Sequence, residues 1–408
     1  MLNFSILVFN AGSSSLKFAI YETQVVGDMR LVIRGVVSHI GVMASLHWSD
    51  GTTGAHINVE AKNHQQAAEW VLDWLQHLWP FGSLLERLVM VAHRVVHGGT
   101  FFYSPVVITE QVLEKLDRLA PLAPLHNPQA ISVIRATQDK LHKNILMLAV
   151  FDTAFFQDLP QHSGYALPDS FSHAHNIKRF GFHGLAHQYM MQRFYQLHPR
   201  HQSHHGIISF QLGHGCSVTA ISDGKPLDTS MGFTPLEGLV MATRAGDLDP
   251  GILIYLLKNG HQLDELEQKL NHYSGLLGLS KSSDDMRELL AREVYDVDAK
   301  LAVDMFCYRA RKYLGAYMAV LGGTDTVLFG GGIGENSPEI RKRICADMHW
   351  CGLQLDDVRN KKATSVENAT LISSDSSTIS IYVIAVSEEA VIAEEARAAF
   401  MRYPENLI

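Results

Sequence analysis

Phe329-Gly330-Gly331-Gly332-Ile333-Gly334-Glu335-Asn336 is the stretch on which the reading of this chain turns. The run Thr-Asp-Thr-Val-Leu at 324–328 precedes it and predicts a buried strand. Ser337-Pro338-Glu339 follows and predicts a helix start, with Ser at the cap and Pro at the first helical position. A strand that feeds a glycine turn and then a helix N-terminus is a phosphate-binding arrangement. Backbone without side chains approaches the anion, and the helix offers free N–H groups and the positive end of its dipole. A tight strand-to-helix turn has the same composition. No Lys-Ser/Thr follows the glycines and the spacing is not G-x-G-x-x-G, so this is neither a P-loop nor a dinucleotide fingerprint.

Two other segments have the same grammar. Residues 4–9 and 16–21 predict strands joined by Asn10-Ala11-Gly12-Ser13-Ser14-Ser15, with Lys17 just beyond. Residues 206–210 and 216–221 predict strands joined by Gln211-Leu212-Gly213-His214-Gly215. Hydroxyls, an amide and an ammonium at such a turn suit phosphate or a metal–phosphate complex, although Ser and Asn also favour plain turns. Strand, glycine turn and strand heading each half of the chain predict a duplicated domain with a nucleotide between the halves.

The totals set limits. A chain of 408 residues is long for one core and suits two large domains. Lys and Arg number 34 against 42 Asp and Glu, and the net charge of −8 argues against a broad nucleic-acid surface while allowing a local basic pocket. The four cysteines form no C-x-x-C pair and read as reduced thiols of a cytoplasmic protein. Residues 1–10 are apolar but carry no Lys or Arg, unlike a signal peptide, and no apolar run is long enough to span a bilayer.

Several strand ends carry chemistry. The strand at 88–92 runs into His93-Arg94-Val95-Val96-His97-Gly98-Gly99, and the strand at 145–150 into Phe151-Asp152-Thr153. In α/β proteins ligand groups gather at such ends. Residues 121–128, with three prolines, predict a rigid loop, and 151–180 the domain junction. His183 and His187 are spaced i, i+4, but no Glu intervenes and no third ligand is near, so zinc is not expected. Helices are expected at 65–79, with Trp70, Val71, Trp74, Leu75 and Leu78 on one face, and at 298–321, with Leu301, Ala302, Met305, Tyr313 and Tyr317 near one face. Ser282 to Arg287 predicts a capped helix start, and Ser387-Glu388-Glu389 opens the last helix after a strand at 379–385.

In this order and spacing the chain resembles the acetate kinase family of acyl-phosphate-forming kinases. The resemblance is carried by N-x-G-S-S-S-x-K from Asn10, H-R-V-V-H-G-G from His93, A-P-L-H-N-P at 123–128 and F-D-T-A-F at 151–155. It continues through F-G-F-H-G at 180–184, D-T-S-M-G-F-T-P-L-E-G at 228–238, S-G-L-L-G-L at 274–279 and G-G-I-G-E-N at 331–336. It implies two duplicated ribonuclease-H-like α/β domains of the actin-like ATPase class with a nucleotide cleft. The first would span 1–152, completed by a returning helix at 387–408, and the second 153–386. The implied reaction is reversible, in-line phosphoryl transfer from ATP to acetate, giving acetyl phosphate and ADP.

The resemblance also implies roles. Arg94, Arg244, Asp152 and His183 match the catalytic set, while Arg94, Val96, Leu125, Phe182 and Pro235 match the substrate pocket. Asn10 and Glu388 match positions tied to Mg²⁺ or Mn²⁺. Ser13, Ser15 and Lys17 belong to a phosphate-side loop, together with Gln211, Gly213, His214 and Gly215. Asp285, Met286, Arg287, Gly332, Ile333, Gly334 and Asn336 match the nucleotide side. A homodimer is implied, with no nucleic-acid or membrane partner. Three departures touch the site. The family's H-L-G-N-G reads Gln211-Leu212-Gly213-His214-Gly215, its H-G-T-S-H reads His183-Gly184-Leu185-Ala186-His187, and its T-N-E-E reads Val386-Ser387-Glu388-Glu389. Retuned phosphate handling is the expectation, since both arginines, Asp152, His183 and Glu388 remain. The rival readings are a propionate or butyrate kinase, a kinase with another phosphoryl donor such as pyrophosphate, and a non-catalytic nucleotide sensor.

Overall fold

A computed structural model describes residues 4–24, 28–78, 87–124, 126–142, 144–199, 206–364 and 369–402. Leu125 and Trp79 lie outside the described residues. The chain divides into two compact units, Met1–Ala154 with Ser387–Ile408, and Phe155–Val386.

The first unit is built on the strands β1 (Phe4–Ala11), β2 (Leu16–Thr23), β3 (Arg30–Ser38), β4 (Ser45–Ser49), β5 (Gly54–Asn58), β6 (Leu88–Val95), β7 (Val106–Val107) and β8 (Leu146–Phe151), in the order β5-β4-β3-β2-β1-β6-β8-β7. β1, β6 and β8 run parallel and the other pairs antiparallel. β1 is buried along its whole length, as a strand covered on both faces must be, which is why it reads as an apolar run. Alternation sorts its side chains. Leu7, Phe9 and Ala11 join a core with Ala67, Val71, Leu72 and Leu75 of the helix His64–Leu78 and Val133 of the helix Asn127–Lys140. Phe4 points the other way and meets Phe400 of the last helix, Glu388–Arg402, at 4.9 Å between ring centroids. Trp70 and Trp74 stack 6.3 Å apart and are partly buried against the first core, as their helical spacing predicts.

The second unit repeats the plan with β9 (Gly206–Leu212), β10 (Cys216–Ser222), β11 (Lys225–Thr229), β12 (Thr326–Gly330), β13 (Thr370–Leu371) and β14 (Ser380–Val383), in the order β11-β10-β9-β12-β14-β13. β9, β12 and β14 are parallel, and β10 and β11 fold back antiparallel. The five-strand series β3-β2-β1-β6-β8 and β11-β10-β9-β12-β14 therefore have one topology. The chain is an α/β protein of the two-domain actin-like fold.

Three local expectations need correction. The glycine stretch is not an open turn: Gly331, at φ +78°, starts a short helix, Gly331–Asn336. A Cβ there would sit 2.6 Å from the Leu212 carbonyl, so only glycine fits. The loop at 121–128 is shorter than its prolines suggest. Ala120–Leu122 forms a 3₁₀ turn, and Pro128 sits in the first turn of Asn127–Lys140, where its missing N–H costs nothing. In the long helix Val297–Leu321, Ala302 and Tyr317 are buried but Leu301 is exposed, because the 3.6-residue drift carries it off the core face.

His93 on β6 is fully buried, stacked on Phe9 at 5.8 Å, and neither ring nitrogen has a partner. Burial lowers its pKa from 6.5 to about 3. Unfolded, the ring takes a proton as pH falls through 6.5; folded, it resists down to about 3. Its contribution to stability is therefore complete above pH 6.5 and is lost as pH falls through that window. His93→Phe is expected to flatten the acid limb of the stability curve between pH 6.5 and pH 4, read from urea midpoints against pH (a window estimated by linkage).

Candidate active site

In the first unit the site begins with strand alternation. Phe9 and His93 face the core under His64–Leu78, so their neighbours Asn10 and Arg94 face the side of Glu388–Arg402. Asp152 follows the end of β8 and is fully buried. Arg94 meets it as a fork: Nε donates to Oδ1 at 3.0 Å and Nη2 to Oδ2 at 2.6 Å. Nη1 donates to Asn10 Oδ1 at 3.0 Å and lies 3.4 Å from Glu388 Oε2. Asn10 then passes the contact on, its Nδ2 donating to Glu388 Oε2 and to Glu389 Oε1, both at 2.8 Å. Only one amide orientation serves both, since a guanidinium needs an acceptor and carboxylates need a donor.

Burial opposes the charge on Arg94, but Asp152, Glu388 and Glu389 outweigh it and raise its pKa above the ordinary value. Glu388 and Glu389 open their helix and so meet the positive end of its dipole. Both Asp152 oxygens are engaged by Arg94, while Glu388 and Glu389 meet the amide of Asn10. Among the described residues no three His, Cys, Asp or Glu side chains form a metal cage. One or two carboxylates beside phosphate oxygens and water is nonetheless the set that Mg²⁺ takes, because it dehydrates reluctantly. The residues present fit such an ion. Asn10 is the bridge between guanidinium and carboxylates here, not an open ligand.

Behind this cluster, Asn127 clamps the histidine–glycine segment. Its Oδ1 accepts from His97 N at 3.1 Å and its Nδ2 donates to His97 O at 3.0 Å, while Thr153 Oγ1 accepts from Gly98 N. Val96 is buried beside them. In the β1–β2 turn Ser13 and Lys17 are exposed and Ser15 half-buried, and His64 Nε2 meets the Gly12 carbonyl at 2.8 Å.

In the second unit the site gathers over Gly215. A Cβ there would lie 3.2 Å from His183 Nε2 and 3.7 Å from Arg244 Nη1, so imidazole and guanidinium face one spot that only glycine leaves open. His183 sits at φ 58°, as the N-cap of Gly184–Leu197. Arg244 has no acid partner among the described residues. It donates to the Pro235 carbonyl at 3.1 Å, and burial lowers its pKa, with only the Cys216 thiol opposing. Pro235 is held in place by a brace the sequence did not disclose: Arg179 pairs with Glu237 at 2.9 Å, and Tyr165 bonds Glu237 and accepts from Phe233 N. Phe182 is fully buried.

The nucleotide-side residues fall into two groups. Asp285 caps Met286–Arg292 and is forked by the exposed Arg287, which holds its carboxyl below the usual range. Met286 is buried in the core. In the glycine stretch, the anion at the helix N-terminus is the protein's own: Glu335 Oε1 accepts from Gly331 N at 2.9 Å and from Val386 N at 3.0 Å. That site is thus filled by a carboxylate and not left open for phosphate. Asn336 bonds the Gly332 carbonyl, and Gly332 and Asn336 are exposed, with Ile333 half-buried and Gly334 buried. The fully buried Arg341 braces this helix from behind, donating to the carbonyls of Gly334, Glu335, Asn360 and Ala363.

The departures from the family pattern also find places. The amide nitrogen of Gln211 points toward the Gly331 turn, and its Oε1 is buried without a partner. His214 Nε2 lies 3.3 Å from Asp284 Oδ2 in an exposed pair, worth about 0–1 kcal/mol. Leu185 and Ala186 are buried.

Acids gripping one arginine, a second arginine and an imidazole over a glycine turn, and a duplicated α/β plan define a phosphotransferase of the two-domain actin-like class. Residues 5–394 match the model of the Acetokinase family. Curated acetate kinases from Chloroherpeton thalassium and Solibacter usitatus are 41% and 43% identical, over 98% and 96% of this chain and 99% and 97% of theirs. The crystal structure of Porphyromonas gingivalis acetate kinase superposes with a TM-score of 0.85 at 36% identity, covering 97% of this chain and 99% of that one. A propionate kinase from Francisella tularensis superposes with a TM-score of 0.86 at 37% identity, covering 96% and 98%. The chain belongs to the acetokinase family.

The first-unit cluster makes a stability prediction. Arg94→Met takes the guanidinium from the buried Asp152, and a loss of about 3–5 kcal/mol is expected at pH 7. Without its cation Asp152 has a raised pKa when folded, so the deficit should shrink as pH falls toward the carboxylate range. Guanidinium denaturation of the variant at pH 7 and pH 5 checks both.

Proposed function

We propose that this protein is an acetate kinase, transferring a phosphoryl group reversibly between ATP and acetate. The observation that carries the reading is Arg244, a guanidinium with no acid partner among the described residues, aimed with His183 Nε2 at the space over Gly215. A cation left unpaired in a partly buried setting is completed by an anionic ligand.

Acetate is already ionised at neutral pH, so no base is required. The protein's task is alignment and charge neutralisation. Arg94, its Nε–Nη2 fork held by Asp152 and its Nη1 by Asn10, offers its remaining N–H groups to the substrate carboxylate. Arg244 and His183 take the equatorial oxygens of the moving phosphoryl group. The residues that match the family's acyl pocket are Val96, Leu125, Phe182 and Pro235. Asp285, Met286, Arg287, Gly332, Ile333, Gly334 and Asn336 serve ATP or ADP, while Ser15, Lys17, Gln211, Gly213, His214 and Gly215 serve its phosphates. Glu388 and Glu389, which Asn10 joins to Arg94, would hold Mg²⁺, which when bound neutralises phosphate charge.

A propionate kinase is the second reading, favoured by the likeness to the Francisella tularensis enzyme. One methylene against an apolar wall is worth only about 1–3 kcal/mol, so the two activities overlap. ATP formation from ADP and Mg²⁺ should be measured with acetyl, propionyl and butyryl phosphate. Acetyl phosphate is expected to turn over best, and Arg94→Ala and Arg244→Ala each to lower kcat by about 10²–10³-fold. Nucleotide binding without turnover of any of the three would overturn the reading in favour of a sensor or another donor.

The cellular setting follows from chemistry. Four free cysteines and no described helix long and apolar enough to cross a membrane accord with a cytoplasmic enzyme. The helix Pro250–Lys258 buries no residue although Ile252, Ile254, Tyr255 and Leu257 lie on it, and a second copy is the proposed cover. Size-exclusion chromatography should give a dimer, and Ile254→Glu with Tyr255→Glu a monomer.

A further inference from the structure

Behind His183 runs a line of hydrogen-bonded groups that the reaction scheme does not use. His183 Nδ1 meets Ser217 Oγ at 2.9 Å, and Ser217 Oγ meets His187 Nε2 at 2.8 Å. His187 Nδ1 meets Ser209 Oγ at 2.9 Å, and Ser209 Oγ lies 3.8 Å from Met190 Sδ. Ser217, His187, Ser209 and Met190 are all at 0% exposure, so solvent does not compete for these bonds. The fold sets the line up. His183 and His187 are one helical turn apart, and Ser209 and Ser217 are diagonal neighbours on one face of the β9–β10 hairpin.

Proton counting gives the line a direction. A hydroxyl has one proton and a neutral imidazole one N–H. Ser209 directs its O–H at Met190 Sδ, so His187 Nδ1–H donates to Ser209 Oγ. His187 Nε2 then accepts, and the O–H of Ser217 supplies it. Ser217 Oγ in turn accepts from His183 Nδ1–H. The opposite direction keeps the same three bonds but abandons the sulfur. It also sets an O–H against Nδ1, so the ring could not hold two protons without breaking a bond.

We propose that Ser217, backed by His187 and Ser209, is the positioning residue that holds His183 in its Nδ1–H form with Nε2 presented over Gly215. This rests on the reading of His183 as a phosphoryl contact. Phosphoryl oxygens only accept hydrogen bonds. His183 meets them after taking a proton from solvent at Nε2, and as an imidazolium it keeps every bond of the line. Arg244, the charged group on the same face of Gly215, opposes that second proton until the anion arrives.

The test is long-range ¹H–¹⁵N correlation on the full-length, histidine-labelled protein, with His183 assigned through His183→Asn. The free enzyme is expected to show His183 protonated at Nδ1 and bare at Nε2. Ser217→Ala should shift it toward the Nε2–H form and lower kcat on the order of 10- to 100-fold with both KM values little changed. Ser217→Thr, which keeps the hydroxyl, should restore both. An Nε2–H form in the free enzyme, or a Ser217→Ala spectrum identical to the parent's, overturns the proposal. If Ser217→Ala does not fold, Ser209→Ala perturbs the far end of the line and is judged by the same spectrum. The tautomer is read without turnover, so a shift with no activity toward acetyl phosphate would remove the kinase reading and leave the positioning role.

Discussion

Arg94 is the constraint around which the first unit is arranged. A guanidinium with little access to water needs its N–H groups and its charge answered close by, and here three carboxylates and one amide do so. Asp152 comes from the end of β8, Asn10 from the end of β1, and Glu388 and Glu389 from the helix that returns after the second unit. A buried ion pair of this kind is a poor source of net stability, because desolvation consumes most of its Coulomb gain. Its value is geometric. A fork gripped on two sides cannot swing, and a group that must meet a small carboxylate in one orientation benefits from not swinging.

The second unit treats its arginine in the opposite way. Arg244 has a carbonyl, a thioether and a thiol around it and no carboxylate among the described residues, and burial lowers its pKa. One arginine is satisfied by the protein's own acids, as the proposed role of a fixed template requires; the other has no acid among the described residues. Gly215 is the reason the incomplete one is usable, because any side chain there would touch both His183 and Arg244. The glycine-rich helix Gly331–Asn336 has been closed off differently, with Glu335 as the anion at its start and Arg341 gripping its carbonyls from behind. A rigid ledge is what a flat base or ribose requires, whereas an open N-terminus would attract phosphate.

Much of this was legible in the chain. The strands of both hairpins, the Ser337 cap and Pro338 after it, and the tryptophan face of His64–Leu78 follow from local chemistry: alternation, capping and helical period. The residues proposed to meet ligands also stood out, because Arg94, Asp152, His183 and Gly215 lie at strand ends or glycine turns. Less visible were the residues that hold these in place. Ser217, Arg179, Tyr165, Arg341 and Asn127 look like ordinary strand, loop and helix positions, and each acts on a partner that is distant in sequence.

By itself the sequence determined the duplicated plan, the two arginines and the positions of the turns, since periodicity and turn chemistry act over a few residues. Only the tertiary structure decided which charges are paired. It locked Arg94 among acids from two separated segments and an amide from a third, left Arg244 with no acid among the described residues, and placed a carboxylate where the glycines alone suggested a phosphate. Pairing depends on which strand ends and helix starts converge, and that is a property of sheet order and not of any local run of residues.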